Sequence, residues 1–477
     1  MRRVLFLAGS FACTAVVVAA CSGGDMASVP DDVHTVIGPD GTAINEPTVP
    51  DLGKECALPT ECISQVCAAG RCAQPTPTDG ARNNDETDVD CGGTYAPKCD
   101  ANKACKGATD CLSQVCAGVC QPPSFTDGLK NGTESDVDCG GATAPLANKC
   151  DTGKACTAHA DCKSDGCGDD GKCAAGRSCT QTHGGRTCGP GEYPSATHES
   201  CCTELPVAGR SGTLDKYLIT AGRMRAFIDR VNGNVRDAVA SDPKWVGAWT
   251  QYLPTNMAQA LEQLGPVAQD WEWPAANTPG LPRGTWAARG CQVNGGGSRS
   301  YWEDRADDQH KYPKDALDEK TLNCVTTSMA LAFCLWDGKD LADPDDLQAA
   351  WQGTDRRAWP WGNQPTPPLN ERDTSFDYKP FDQAVVRFDY QFPAYSAPDA
   401  TAHISAPGRK PAGNGPYGHA DLVGNVIEEA RRGNRVYYQS NGSWERHAPQ
   451  RNGAYYTDNT TVFNRRYYAI GARCARH

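Results

Sequence analysis

Cysteine is the residue type with the most chemistry to offer in this chain, 26 among 477 residues. A thiol can ligate a soft metal, attack as a nucleophile or close a disulfide. Spacing decides between these. Residues 56–173 hold 16 cysteines in a repeat: Cys56, Cys62, Cys67 and Cys72 are matched by Cys105, Cys111, Cys116 and Cys120, then by Cys156, Cys162, Cys167 and Cys173. The first gaps are identical, Cys-x5-Cys-x4-Cys. No Cys-x2-Cys pair occurs there and His159 stands alone, so zinc is disfavoured. Such loops have too few apolar residues for a core, and crosslinks must replace it. Between the knots a second unit recurs. Thr78-Asp79-Gly80 leads to Glu86-Thr87-Asp88-Val89-Asp90-Cys91-Gly92-Gly93, and 48 residues later Thr126-Asp127-Gly128 leads to Glu134-Ser135-Asp136-Val137-Asp138-Cys139-Gly140-Gly141. The oxygens of residues 83–90 suit a hard cation such as calcium. That run departs from the twelve-residue helix-loop-helix spacing and lacks its closing Glu, so it reads as a solvated acidic turn.

The other reactive cysteine is Cys21. Arg2 and Arg3 precede an apolar run over residues 4–20, and Val18-Ala19-Ala20-Cys21 then meets polar Ser22-Gly23-Gly24-Asp25. This is the layout of an export signal, too short for a comfortable membrane span. The last four apolar-to-cysteine positions resemble the lipobox, in which the cysteine is acylated. Several acyl chains on one residue anchor firmly. The reading is a chain lipid-anchored in the cell envelope, in the outer membrane and facing periplasm or exterior, with the membrane itself as a partner. Without Cys13 and Cys21, 24 cysteines remain, an even number suited to full disulfide pairing outside the cytoplasm. The net charge of -12 argues against nucleic acid as a partner.

These residues are carried on a chain that divides by composition into 1–20 (signal), 21–55 (disordered tether rich in Gly, Pro, Asp and Thr), 56–173 (disulfide-rich repeat stalk), 174–210 (junction with Cys179, Cys188, Cys201 and Cys202) and 211–477. All 11 tryptophans fall in the last segment, from Trp245 to Trp444. There Tyr217-Leu218-Ile219 reads as a strand. Thr220 can cap a helix through Val231 that buries Met224, Phe227, Ile228 and Val231. A second helix starts near Thr326 or Thr327 and buries Met329, Phe333 and Trp336. A third has Asp343 as cap and Pro344 in its first turn. Beyond Trp359 the chain is rich in Gly, Pro and aromatics, as in a loop-dominated fold.

The order of motifs over roughly residues 200–477 resembles the formylglycine-generating enzyme, or sulfatase-modifying factor, family. The series runs Leu214-Asp215-Lys216-Tyr217-Leu218-Ile219-Thr220, Asn323-Cys324-Val325, Ala332-Phe333-Cys334, Gly338-Lys339-Asp340-Leu341, Trp359-Pro360-Trp361-Gly362-Asn363, Asp421-Leu422-Val423-Gly424-Asn425-Val426-Ile427-Glu428, Asn441-Gly442-Ser443-Trp444 and Gly471-Ala472-Arg473-Cys474. The family usually has Pro-Val where this chain has Cys324-Val325. The resemblance implies an irregular α+β fold related to C-type-lectin-like domains. It also implies a disulfide between Cys334 and Cys474, which by parity leaves Cys291 for Cys324. A structural calcium ion is implied at the Asp421 carboxylate, the Gly424 and Val426 carbonyls and the Glu428 carboxylate. The family's copper-binding cysteines fall on Arg446 and Arg451, so the copper of the oxidase is not expected, and no catalytic residue is assigned.

The expected function is therefore a non-catalytic binding or scaffold role toward a cell-surface glycan or protein. The alternative is a divergent oxidase of the same family with another metal centre. His403, His419 and His447 could make a local site for it, though lone histidines in aromatic loops are usually hydrogen-bonded or surface residues. No Gly-x-Ser-x-Gly elbow marks a hydrolase. Trp359, Trp361, Tyr417 and Trp444 are the loop aromatics that a sugar could stack on.

Overall fold

The computed structural model describes residues 33–37, 43–47, 49–191, 193–265, 287–289, 291, 299–303, 312–363, 404–411, 413–439, 457–460, 465–467 and 469–477. Cys21, His403 and the whole stretch from Ser443 through Trp444, Arg446, His447 and Arg451 lie outside them. Helix and sheet are mixed, and disulfides run throughout. The chain divides into two compact units, residues 1–127 and 128–477. Among the described residues no helix is long and apolar enough to cross a membrane.

In the first unit, β1 (Val33–Ile37) pairs antiparallel with β2 (Ala43–Pro47), and β3 (Cys67–Ala68) with β4 (Arg71–Cys72). Sulfur forms the interior: Cys91, Cys99, Cys111 and Cys120 make a buried cluster. The knots close as Cys56–Cys67 with Cys62–Cys72, and as Cys105–Cys116 with Cys111–Cys120; Cys91–Cys99 lies between them. Asp110 ends a short turn of 3-10 helix and accepts from the backbone N–H groups of Lys106, Gly107 and Gly93 at 2.7, 3.0 and 3.1 Å. Those donors hold its carboxyl below the usual range. The Cys-Gly-Gly of the recurring unit has a steric cause. Gly92 sits at φ +79°, and a Cβ there would lie 1.9 Å from Thr87 Oγ1.

The second unit takes in the third knot. Cys139–Cys150, Cys156–Cys167 and Cys162–Cys173 repeat the pairing, and Asp161 repeats the role of Asp110. This knot belongs with the C-terminal residues because Arg230 donates to the carbonyl and the carboxylate of Asp165, both at 3.0 Å. Next come Cys179–Cys202 and Cys188–Cys201. One sheet has the order β5 (Glu204–Pro206), β6 (Thr213–Asp215), β14 (Cys474–Arg476), β8 (Asp340–Leu341), all antiparallel. The other has the order β11 (Thr457–Thr460), β10 (Arg435–Gln439), β9 (Ile427–Arg432), β13 (Ile470–Ala472). β13 runs parallel to β9, with Glu428 opposite Gly471. β7 (Ala287–Arg289) pairs parallel with β12 (Arg465–Tyr467).

Helices fill the core between these strands. α1 (Ala221–Arg230) starts where Thr220 Oγ1 accepts from Arg223 N at 3.1 Å, and α5 (Thr327–Trp336) where Thr326 Oγ1 accepts from Met329 N at 3.3 Å. α2 (Val235–Val239), α3 (Met257–Leu264) and α4 (Lys314–Asp318) are shorter. α6 (Pro344–Gln352) carries the expected Asp343 cap, closed into a capping box by Asp346. Every residue of α5 is buried. Phe227 of α1 meets Phe333 and Trp336 at ring distances of 5.9 and 4.9 Å. The strand expected at Tyr217-Leu218-Ile219 is absent; the strand is β6, just before it. Ile219 instead donates to the Ala472 carbonyl and accepts from Leu322 N, single bonds on either side rather than a ladder.

Candidate functional site

The expected ligand segment leads into β9 and packs against residues 321, 405, 408 and 473. Asp421, Gly424 and Asn425 have φ of 55°, 84° and 57°, so the backbone turns sharply before β9. The Asn425 side chain pins that turn: Nδ2 donates to Thr321 Oγ1 at 2.9 Å, and Oδ1 accepts from Ser405 N at 3.2 Å. Asp421 Oδ2 accepts from Gly408 N at 2.7 Å. Glu428 is 2 % exposed, and its two oxygens accept from Arg473 Nε and Nη2 at 2.6 and 2.8 Å. Burial raises the Glu428 carboxyl pKa, Arg473 opposes that rise and Asp421 adds to it.

Arg473 uses every N–H it has. Beyond Glu428 it donates to the carbonyls of Asp215, Lys216 and Ala420 at 3.2, 3.1 and 2.7 Å. The four positions expected to hold calcium therefore do not fit the ion as a set. A cation at Glu428 would stand beside a guanidinium that already balances the carboxylate. Without Glu428, one carboxylate and two carbonyls fall short of the about six to eight oxygens calcium takes. Sequence reasoning used the Gly471-Ala472-Arg473-Cys474 motif only for its cysteine. The signal it passed over was a lone charge inside an apolar segment, which is rarely buried without a partner.

A second buried ionic group ties the junction to the core. Asp215 accepts from Arg223 at 3.0 Å and from Lys339 at 2.7 Å, and Asp337 accepts from Arg223 at 3.0 Å. Arg223 also donates to Ser178 Oγ and the Cys201 carbonyl at 2.9 and 3.0 Å. The motif residues Asp215 and Lys339 are thus framework. The structure joins Cys334 to Cys474 and Cys291 to Cys324. All 24 cysteines from Cys56 to Cys474 stand in twelve disulfides, so none of them is a thiolate. Trp359 and Trp361 stack at 5.3 Å and 9°, Trp351 lies 6.1 Å from Trp359, and Tyr417 packs on the same cluster.

His419 is fully buried, and its pKa is pushed down to about 3, by burial first and then by the charge of Arg473. Burial would raise Glu204, but Arg476 and Lys339 outweigh it and bring the carboxyl to about 2. Both shifts act in the same direction. Between pH 6.5 and about 3 the unfolded chain binds a proton at residue 419 that the folded chain refuses, so this contribution is full above 6.5 and falls on acidification. Glu204 contributes fully above its ordinary 4.5 and loses this toward 2. Melting temperature is expected to fall as pH drops below 6.5, and His419→Gln to flatten the upper part of that decline. Identical slopes for the two proteins between pH 6.5 and 5 would remove His419 from the account.

Comparison with known proteins gives little to set beside this geometry. No family model matches the chain, and no curated protein matches it. Among solved structures, it is similar to the structure of PvdO from Pseudomonas aeruginosa, at 13% identity over 56% of this chain and 80% of that one, with a TM-score of 0.28. A likeness that distant carries no argument about activity.

Proposed function

We propose that this chain is a lipid-anchored cell-envelope protein, held by Cys21, whose second unit carries a sulfatase-modifying-factor-like domain of C-type-lectin-like type used for binding or scaffolding rather than catalysis. The observation that supports this most is the state of the cysteines. An oxidase of that family needs a thiolate pair for Cu(I), and every cysteine from Cys56 to Cys474 is in a disulfide. The charged residues of the family-like motifs go the same way: Glu428, Asp215 and Lys339 are spent on Arg473 and Arg223 or on each other. The partner is a cell-surface glycan or protein, and the partly exposed Trp361 and Tyr417 are the side chains that would meet it. The test incubates the full oxidised chain with Cu(I), oxygen and a Cys-x-Pro-x-Arg peptide, and follows the aldehyde by mass spectrometry. No aldehyde is expected. Turnover, or stoichiometric copper or iron in the purified protein, would overturn the binding reading in favour of a divergent oxidase.

A further inference from the structure

The acidic turns of the repeats look different once the knots around them are in place. Asp79-Gly80, five residues, then Glu86 is the second half of a calcium loop, Asp/Asn-Gly-x5-Glu. In that loop the fifth, ninth and twelfth positions ligate through side chains, the seventh through its carbonyl, and a glycine makes the sharp turn at the sixth. Counted from Asp79 as fifth, these are Asp79, Asn83, Glu86, Ala81 and Gly80, whose φ is +80°. Glu86 is thus the closing glutamate that the spacing counted from residue 83 misses. Asp127-Gly128 and Glu134 repeat the pattern.

The structure adds an observation that spacing does not contain. Asn83 is 9 % exposed and sits between two carboxylates: Nδ2 donates to Asp79 Oδ2 and Oδ1 at 3.0 and 3.2 Å and to the Ser64 carbonyl at 2.8 Å, while its backbone N–H donates to Glu86 Oε2 at 3.2 Å. The other half of that amide, Oδ1, is buried and accepts no hydrogen bond. A buried acceptor that finds no donor beside an acidic turn is satisfied by a cation. Glu86 is buried too, and its carboxyl pKa is raised, by burial and then by Asp79 and Asp90. Asp90 is held against the turn, where both its oxygens accept from Gly80 N at 2.9 and 3.1 Å. Nearby Arg82 donates to the Glu86 backbone carbonyl. In the second copy Gly128 N donates to Asp138 at 2.9 and 3.2 Å, and Asn131 N to Glu134 Oε2 at 3.2 Å. There Glu134 Oε1 is the buried oxygen without a hydrogen bond.

We propose that each acidic turn is a calcium site, built in the first copy by Asp79, the Ala81 carbonyl, Asn83 and Glu86 with Asp90 beside them. The loop's first and third positions are Pro75 and Pro77, which supply no side-chain oxygen. Affinity therefore falls in the weak range of extracellular modules, Kd roughly 0.1–1 mM. The test titrates the full chain, disulfides intact, with calcium chloride by isothermal calorimetry. Two sites per chain are expected. Glu86→Gln should remove one, and Glu86→Gln with Glu134→Gln should remove both, while a free-thiol count on each variant reports whether the knots closed. Absence of saturable binding, or binding unchanged in the double variant, would each overturn the assignment.

Discussion

Arg473→Met is expected to cost about 3–5 kcal/mol, the range for removing one partner of a buried ion pair. For a unit of this size that lowers the melting temperature by roughly 4–7 °C. The loss has two sources. Glu428 is left as an uncompensated carboxylate in a site where burial alone raises its pKa. The carbonyls of Asp215, Lys216 and Ala420 lose their donors as well. The pH dependence separates the sources. Without Arg473 the Glu428 carboxyl titrates above its ordinary 4.5 in the folded chain, so the penalty grows as pH rises through that value and shrinks below it. The carbonyls do not titrate. Urea unfolding at pH 4.5 and 7.5 measures the difference. Glu428→Gln combined with Arg473→Met should recover part of the loss, and Arg473→Lys little, since the three donors of an ammonium cannot replace the five bonds of Arg473. A Met variant as stable as the parent at pH 7.5 would mean the pair is not buried as described.

The second large effect belongs to Cys334 and Cys474. Their bridge spans 140 residues, whereas those of the repeats span 8 to 11. In the chain-entropy account the long loop is worth about 5 kcal/mol and each short one about 2.5–3. Replacing both cysteines by Ala should therefore lower the stability of the second unit by about 5 kcal/mol, with a small further loss from packing against α5. Replacing Cys105 and Cys116 should leave melting of the second unit where it was, since that bridge lies within the first. Calorimetry on both double variants reads this directly. Equal shifts in one common transition would mean that the units melt as one.

Local signals carried much of the fold. Thr220, Thr326 and Asp343 were legible as caps because a short oxygen side chain before an apolar run has one good use. Tyr217-Leu218-Ile219 misled because residues of high strand propensity were taken to need a ladder, whereas burial on all sides satisfied them with single bonds. The site was harder. Glu428 stood out as a charge in an apolar segment, but its partner is 45 residues away and reaches it through the parallel pairing of β9 with β13. Arg223 was hidden differently: α1 is buried on nearly all faces, so an amphipathic stripe could not single it out. Asn83 and Glu86 read as solvated because their shortage of apolar neighbours hid a burial made by disulfide-held loops.

The placement of β14 between β6 and β8 also sets a schedule. Asp215 and Arg473 are 258 residues apart, and the strand that carries one must wait for the segment that carries the other. At roughly 5–20 residues per second, a ribosome needs about 10–50 s to make the intervening chain. During that time β6 has only β5 beside it, and the Asp215 carbonyl lacks its Arg473 donor. The β5–β6 pair cannot complete its four-stranded sheet until β14 has been made. The order of strands along the chain thus makes this sheet one of the last parts of the second unit to close.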